Sequence, residues 1–184
     1  MTDIPDLLEV EVPVGGRTMV VADLHLSKDP SPAQQAASAE LAAAIEASTG
    51  PGVLVLAGNL FDSQADCRSA LAAHARLAGD IAAYAAGPGR RVVVLPGDRD
   101  IRLAWSEPAQ AAVRAGLDAE LALAVDLRIA TGAGERRVRV DPGHRFDPRR
   151  AYQDPRNPLE SPLAGGMRDE VLPAAVTIYD RYLR

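Results

Sequence analysis

The segment TMVVADLHL, residues 18–26, decides how this chain is expected to fold. Residues 18–22 are mostly apolar and β-branched, a composition typical of a short buried strand. This run ends at Asp23-Leu24-His25. Alternate side chains of an extended backbone point to the same side, so Asp23 and His25 are expected to face a common point. A carboxylate and an imidazole placed in this way can bind one metal ion.

Beyond this segment, apolar strands alternate with helical stretches. Ser31 is a predicted N-cap, with Pro32 at the first helical position. The predicted elements that follow are a helix over residues 31–48, a strand over 53–57, a helix over 63–86 and a strand over 91–95. Strands and helices in such alternation form a parallel sheet with right-handed crossovers.

The pattern changes after residue 100. We expect a short helix over 107–115 and a hairpin of strands 121–130 and 136–140 that turns at 132–134. A loop rich in proline and arginine follows over 141–162, and a last helix is predicted over 166–183. No repeat or linker divides the chain, so residues 1–184 are expected to form a single domain.

Composition narrows the classes of function. Hydrophobic residues make up 47% and charged residues 24% of the chain, as in globular proteins. The net charge of -5 disfavours nucleic acid as a partner. Cys67 is the only cysteine, no leader-like segment opens the sequence, and no apolar run reaches the length of a membrane span. We therefore expect a cytoplasmic protein without a membrane span.

Four blocks of polar residues follow predicted strands, where open α/β sheets bind their ligands. In order they are Asp23-Leu24-His25-Leu26, Gly58-Asn59-Leu60-Phe61-Asp62, Gly97-Asp98-Arg99-Asp100 and Pro142-Gly143-His144-Arg145-Phe146-Asp147.

These ordered blocks resemble the motifs of the calcineurin-like metallophosphoesterases, above all the bacterial branch similar to UDP-2,3-diacylglucosamine pyrophosphate hydrolases. The resemblance covers residues 17–147 and leaves 148–184 as a C-terminal extension. It implies an α/β fold, an αββα sandwich in which two sheets lie between helices. The closing Gly-His-x-His of the family does not occur before Arg184, so we expect this sandwich to be incomplete at its C-terminus.

The resemblance also implies a set of metal ligands. Asp23 and His25 match the family's ligands directly. Asn59 stands where the family has the carboxylate that bridges two ions, and Asp98 stands where it has an asparagine. Pro142 occupies a position at which the family has a histidine, and the nearby His144 is the candidate replacement or else a residue that hydrogen-bonds within its loop.

For catalysis, the resemblance implies that Arg99 donates to the phosphate, while Asp62 and Asp100 orient the residues around the metal. A salt bridge of Arg99 with Asp98 or Asp100 is the alternative. The arginines between 136 and 150 form either a solvated strand face or a rim that attracts phosphate.

Two functions therefore remain open. The first is a metal-dependent phosphoesterase that hydrolyses a phosphomonoester, phosphodiester or pyrophosphate with a divalent cation, manganese foremost and iron, zinc or magnesium as alternatives. The second is an impaired or inactive relative, with one ion or none, that has a binding or regulatory role. The expected partners are a phosphate-containing small molecule and a second copy or partner subunit that completes the site.

Overall fold

The computed structural model describes residues 4–62 and 65–158. This part of the chain has a mixed α/β architecture of four α-helices and two β-sheets. The helices are α1 (Pro32–Glu46), α2 (Cys67–Ala73), α3 (Ala75–Ala85) and α4 (Glu107–Leu117). The strands are β1 (Leu8–Val12), β2 (Arg17–Val21), β3 (Gly52–Ala57), β4 (Arg90–Leu95), β5 (Glu120–Leu121), β6 (Val125–Thr131) and β7 (Gly134–Val140).

The larger sheet is parallel throughout and has the strand order β2-β3-β4-β5. Its central strands are buried on both faces, as their unbroken apolar sequences predict. In β3, Leu54 and Leu56 pack into the core shared with the helices, whereas Val53 and Val55 belong to a second apolar cluster. The helices therefore cover one face of this sheet.

The smaller sheet has the order β1-β6-β7, with β1 parallel to β6 and β7 antiparallel to it. Val10 of β1 and Leu127 of β6 lie in the same buried cluster as Val53 and Val55 of the larger sheet. The two sheets thus share one apolar interior, and β6 and β7 form the expected hairpin.

Two predicted elements differ from the structure, and one strand of the structure was not predicted. The helix over 63–86 is divided into α2 and α3 at His74, whose φ of -110° and ψ of 37° depart from helical values. Leu121, predicted to open the hairpin, belongs to β5 in the other sheet. The N-terminal strand β1 was not predicted, because its alternating acidic residues resemble a solvated segment.

At the division between α2 and α3, His74 is buried and bonded to another helix. Its Nδ1 lies 3.0 Å from the Ser38 hydroxyl oxygen of α1, and burial lowers its pKa. The start of α1 is confirmed, since Ser31 and Gln34 form a reciprocal capping box.

The predicted helix over 166–183 lies outside the described residues. Among the residues that are described, no helix has both the length and the apolar character that a membrane crossing requires.

Candidate functional site

The polar blocks after β2 and β3 lie side by side, because their backbones stay paired beyond the ends of the strands. The amide of Asp23 donates to the carbonyl of Gly58 at 3.1 Å, and that of His25 donates to Asn59 at 2.9 Å. Asp23, His25 and Asn59 all have positive φ, at 59°, 49° and 52°. Left-handed backbone is uncommon outside glycine, although aspartate, asparagine and histidine adopt it more readily than other residues do. Concentrated strain of this kind is a feature of binding and catalytic sites.

Asn59 lies at the centre of the site and joins two carboxylates. Its Nδ2 donates to Oδ1 of Asp23 and to Oδ1 of Asp98, each at 3.0 Å. Its own oxygen accepts the backbone N–H of Arg99 at 3.0 Å. This last bond fixes the orientation of the amide, because a reversed side chain would direct its nitrogen at another donor. The NH₂ group of Asn59 therefore satisfies two negative groups at once.

The close approach of the blocks after β3 and β4 depends on Gly97. A Cβ at this position would collide with the backbone nitrogen and the side-chain oxygen of Asn59. Gly58 has φ of +88°, and any side chain there would be strained. The glycines before the polar residues thus allow Asn59 to reach the carboxylates.

His25 lies beside Asp23 at the mouth of the site. Its Nε2 is 3.6 Å from Oδ1 of Asp23, and about a third of its side chain is exposed. Its Nδ1 is buried and has no hydrogen-bond partner among the described residues. The side chain of Gln34 donates to the His25 carbonyl, which ties this loop to the start of α1.

Asp100 is buried and holds the loops after β3 and β4 together. It accepts the backbone N–H groups of Gly97 at 2.6 Å and of Phe61 at 3.1 Å. Burial raises its pKa to about 6, although the hydrogen bonds from the backbone oppose that shift. Asp100 therefore fixes the loops after β3 and β4 relative to each other through these two hydrogen bonds.

Arg99 makes a different ion pair from the one considered in the sequence. Its Nη1 lies 3.3 Å from Oδ1 of Asp62, whereas the sequence suggested Asp98 or Asp100 as the partner. Asp100 is enclosed by backbone donors, and Asp98 contacts other side chains. Asp62 and Arg99 therefore form a pair at the edge of the site, with both side chains partly exposed.

The fourth block passes over the ends of β3 and β4. Pro142, Gly143 and His144 line a cleft of about 270 Å³ together with Asp23, Asn59 and Asp98. Burial lowers the pKa of His144, which favours its neutral form. His144 thus lines the cleft two residues after Pro142.

Two residues of this site were not selected from the sequence. Arg150 lies in the cleft, with Nη1 3.5 Å from Oδ2 of Asp98 and Nε 3.6 Å from Oδ2 of Asp147. The Tyr152 hydroxyl donates to the backbone oxygen of Asp98 at 3.3 Å. The arginine-rich composition of 136–150 was the available signal. It could not separate Arg150 from the arginines of β7, of which Arg139 pairs with Asp126 on β6.

The described residues do not fit the two-ion centre that the family resemblance implies. The donor side of the Asn59 amide faces both carboxylates, and its oxygen is bonded to the backbone of the next loop. Two cations need a shared anion between them, and Asn59 provides an NH₂ group there instead. In 4–62 and 65–158, no group of three or more histidine, cysteine, aspartate or glutamate residues is arranged to hold a metal ion.

Comparisons with known proteins found no match to this chain among protein-family models, curated proteins or solved structures.

Proposed function

We propose that this chain is a metallophosphoesterase-like protein, built on an αββα sandwich, whose cleft has a binding or regulatory role instead of efficient hydrolysis. The observation that carries this proposal is the pair of hydrogen bonds from Asn59 to Asp23 and Asp98. They neutralise part of the repulsion between the carboxylates, a task that divalent ions perform in a hydrolytic centre. A binding role accounts for the cleft and its strained loops and does not require two metal ions.

Charge limits what the cleft can bind. Among the described residues that line the cleft, three carboxylates (Asp23, Asp98 and Asp147) face one guanidinium, that of Arg150. A bare phosphate would be repelled by this excess of carboxylates. A phosphate-containing small molecule is therefore expected to bind only together with a cation, or to contact the outer arginines instead.

Metal-dependent phosphoester hydrolysis is the second candidate, and the proximity of Asp23 and His25 favours it. Their side chains lie 3.6 Å apart and both reach solvent. A single ion would have to draw Asp98 toward them as a third ligand, because the described residues hold no ready group of three ligands, and Mn²⁺ is the first ion to test. Such an ion has to displace the Asn59 amide from both carboxylates, which weakens its binding.

One titration separates the two functions. Mn²⁺ is titrated calorimetrically into the wild-type chain and into His25→Ala, and both are assayed with a generic aryl phosphodiester. The binding role predicts no saturable Mn²⁺ site at micromolar concentration and no turnover in either protein. A stoichiometric ion that supports turnover and is lost in His25→Ala would overturn it and establish the phosphoesterase.

A further inference from the structure

A second polar cleft lies between the start of α2 and the start of α4. Its volume is about 370 Å³, and its polar lining consists of Asp66, Cys67, Arg68, Arg102 and Ser106. None of these residues lines the cleft around Asn59 described above. The two clefts are therefore separate, and the second one has a different charge.

Arg102 is a half-buried cation without a carboxylate partner in the part of the chain that the structure describes. Its Nη2 lies 3.5 Å from Sγ of Cys67. Burial raises the pKa of the Cys67 thiol, so this neighbour is neutral and does not compensate the charge of the guanidinium. A partly desolvated cation without a counterion is stabilised when an anion binds beside it.

Arg68 adds a second guanidinium to the cleft, and it also makes no ion pair with any described residue. Asp66 supplies the carboxylate among the described lining residues, but this group is occupied as the N-cap of α2. Its Oδ2 accepts the backbone N–H of Ser69 at 2.9 Å and the Ser69 hydroxyl at 2.7 Å. Two guanidinium groups against one carboxylate leave the lining with an excess of positive charge, although the whole chain has a net charge of -5.

The start of α4 adds hydrogen-bond donors to the opposite wall of the cleft. Ser106 is the N-cap residue of α4, but its side chain makes no capping hydrogen bond. Its hydroxyl is therefore available to a ligand. The first N–H groups of a helix have no partner within the helix, and together they favour an anion. Glu107 lies in this first turn but does not line the cleft.

We propose that this cleft binds the phosphate group of a small molecule, with Arg68 and Arg102 as its cationic contacts and Ser106 as a further donor. Guanidinium groups match phosphate oxygens because their N–H groups form two parallel hydrogen bonds. The volume lies near the lower end of the range for small-molecule sites, about 300–1,000 Å³. Ala109 and Ala112 form an apolar wall that leaves space for the organic part of the ligand.

This inference goes beyond the proposed function, because it concerns a separate cleft and needs no metal ion. It also identifies where a phosphate that is repelled by the carboxylates around Asn59 can bind. The Mn²⁺ titration of the first cleft involves none of the residues of the second. The two proposals can therefore fail independently.

The test titrates inorganic phosphate into the full-length wild type, Arg68→Met, Arg102→Met and Arg76→Met. Arg76→Met is the matched control, because it removes one positive charge from an exposed side chain outside the cleft. Calorimetry measures the affinity, with sodium chloride at the same ionic strength as the reference. The fluorescence of Trp105, the only tryptophan, provides a second signal beside the cleft, since its amide donates to the Arg102 carbonyl at 3.2 Å.

We expect saturable phosphate binding by the wild type and by Arg76→Met. Arg68→Met and Arg102→Met should each bind at least about tenfold more weakly, because each loses charge-assisted hydrogen bonds to the phosphate. Absence of saturable binding by the wild type would overturn the inference, as would equal affinities in Arg68→Met and Arg76→Met. If Arg102→Met does not fold, Arg68→Met decides alone, since Arg68 is exposed.

Discussion

Asn59→Asp is the substitution that tests the centre of the site most directly. It preserves the size and left-handed backbone of residue 59 but replaces two donors with a third carboxylate between Asp23 and Asp98. Hydrogen bonds to charged groups contribute about 1.5–3 kcal/mol each. Unit charges about 4 Å apart repel by roughly 4 kcal/mol at a surface-like effective dielectric. Uptake of one proton by the cluster limits the total, so we expect a loss of about 2–4 kcal/mol without metal.

The same charge that destabilises this variant should create a metal site. A ligand present at 100 times its dissociation constant stabilises the folded state by about 2.7 kcal/mol, so Mn²⁺ is expected to restore most of the loss. The assay is urea unfolding with chelator and with Mn²⁺ for wild type, Asn59→Asp and Asn59→Ala. The alanine variant lacks the donors without adding charge and should gain no response to Mn²⁺. Equal stability of wild type and Asn59→Asp in chelator would refute the reasoning, as would an equal response to Mn²⁺.

Two further predictions concern the loops that hold the site. Gly97→Ala should reduce the free energy of unfolding by about 1–3 kcal/mol, because its Cβ collides with the Asn59 backbone. Urea unfolding measures this loss. The control, Gly132→Ala, should show almost no change, because a Cβ there meets no atom within 4 Å. Burial raises the pKa of Asp100 from 3.8 to about 6. Between these two pH values the folded protein therefore binds more protons at this group than the unfolded chain does. The contribution of Asp100 to the free energy of unfolding consequently falls as pH rises. That pKa shift corresponds to about 3 kcal/mol. The free energy of unfolding of the wild type, relative to that of Asp100→Asn, should therefore decrease between pH 4 and 6. A difference between the two proteins that does not change with pH would contradict this prediction.

The parallel sheet could be predicted from sequence because its strands are continuous apolar runs. The segments around Val55 and Val93 cannot be stable at a surface, and each ends at a glycine or proline. The interruption at His74 could not be predicted in the same way. Nothing in the alanine-rich sequence around it reports the contact with Ser38, which lies 36 positions away. Strand β1 was missed because an edge strand with acidic residues on its outer side has no strong local signal.

The meeting of the polar blocks was predictable, since the carboxyl ends of parallel strands lie at one edge of the sheet. Asp23, His25, Asn59 and Asp98 were all selected from the sequence, and Asp23, Asn59 and Asp98 are joined there by hydrogen bonds. The contact of Arg150 with Asp98 joins residues that are 52 positions apart in the sequence. Contacts of such separation leave no trace in local periodicity.

The chemistry at residue 59 was harder to predict from the sequence than its position in the fold. Aspartate and asparagine tolerate the same left-handed backbone and have nearly the same shape, so either residue at 59 fits the turn after β3. The fold therefore does not distinguish them, but the electrostatics do. An aspartate would attract a cation into the space between Asp23 and Asp98, whereas the amide of Asn59 donates a hydrogen bond to each of them. Under the proposed function, one side-chain atom, nitrogen in place of oxygen, separates a site that requires metal from a site that its own residues satisfy.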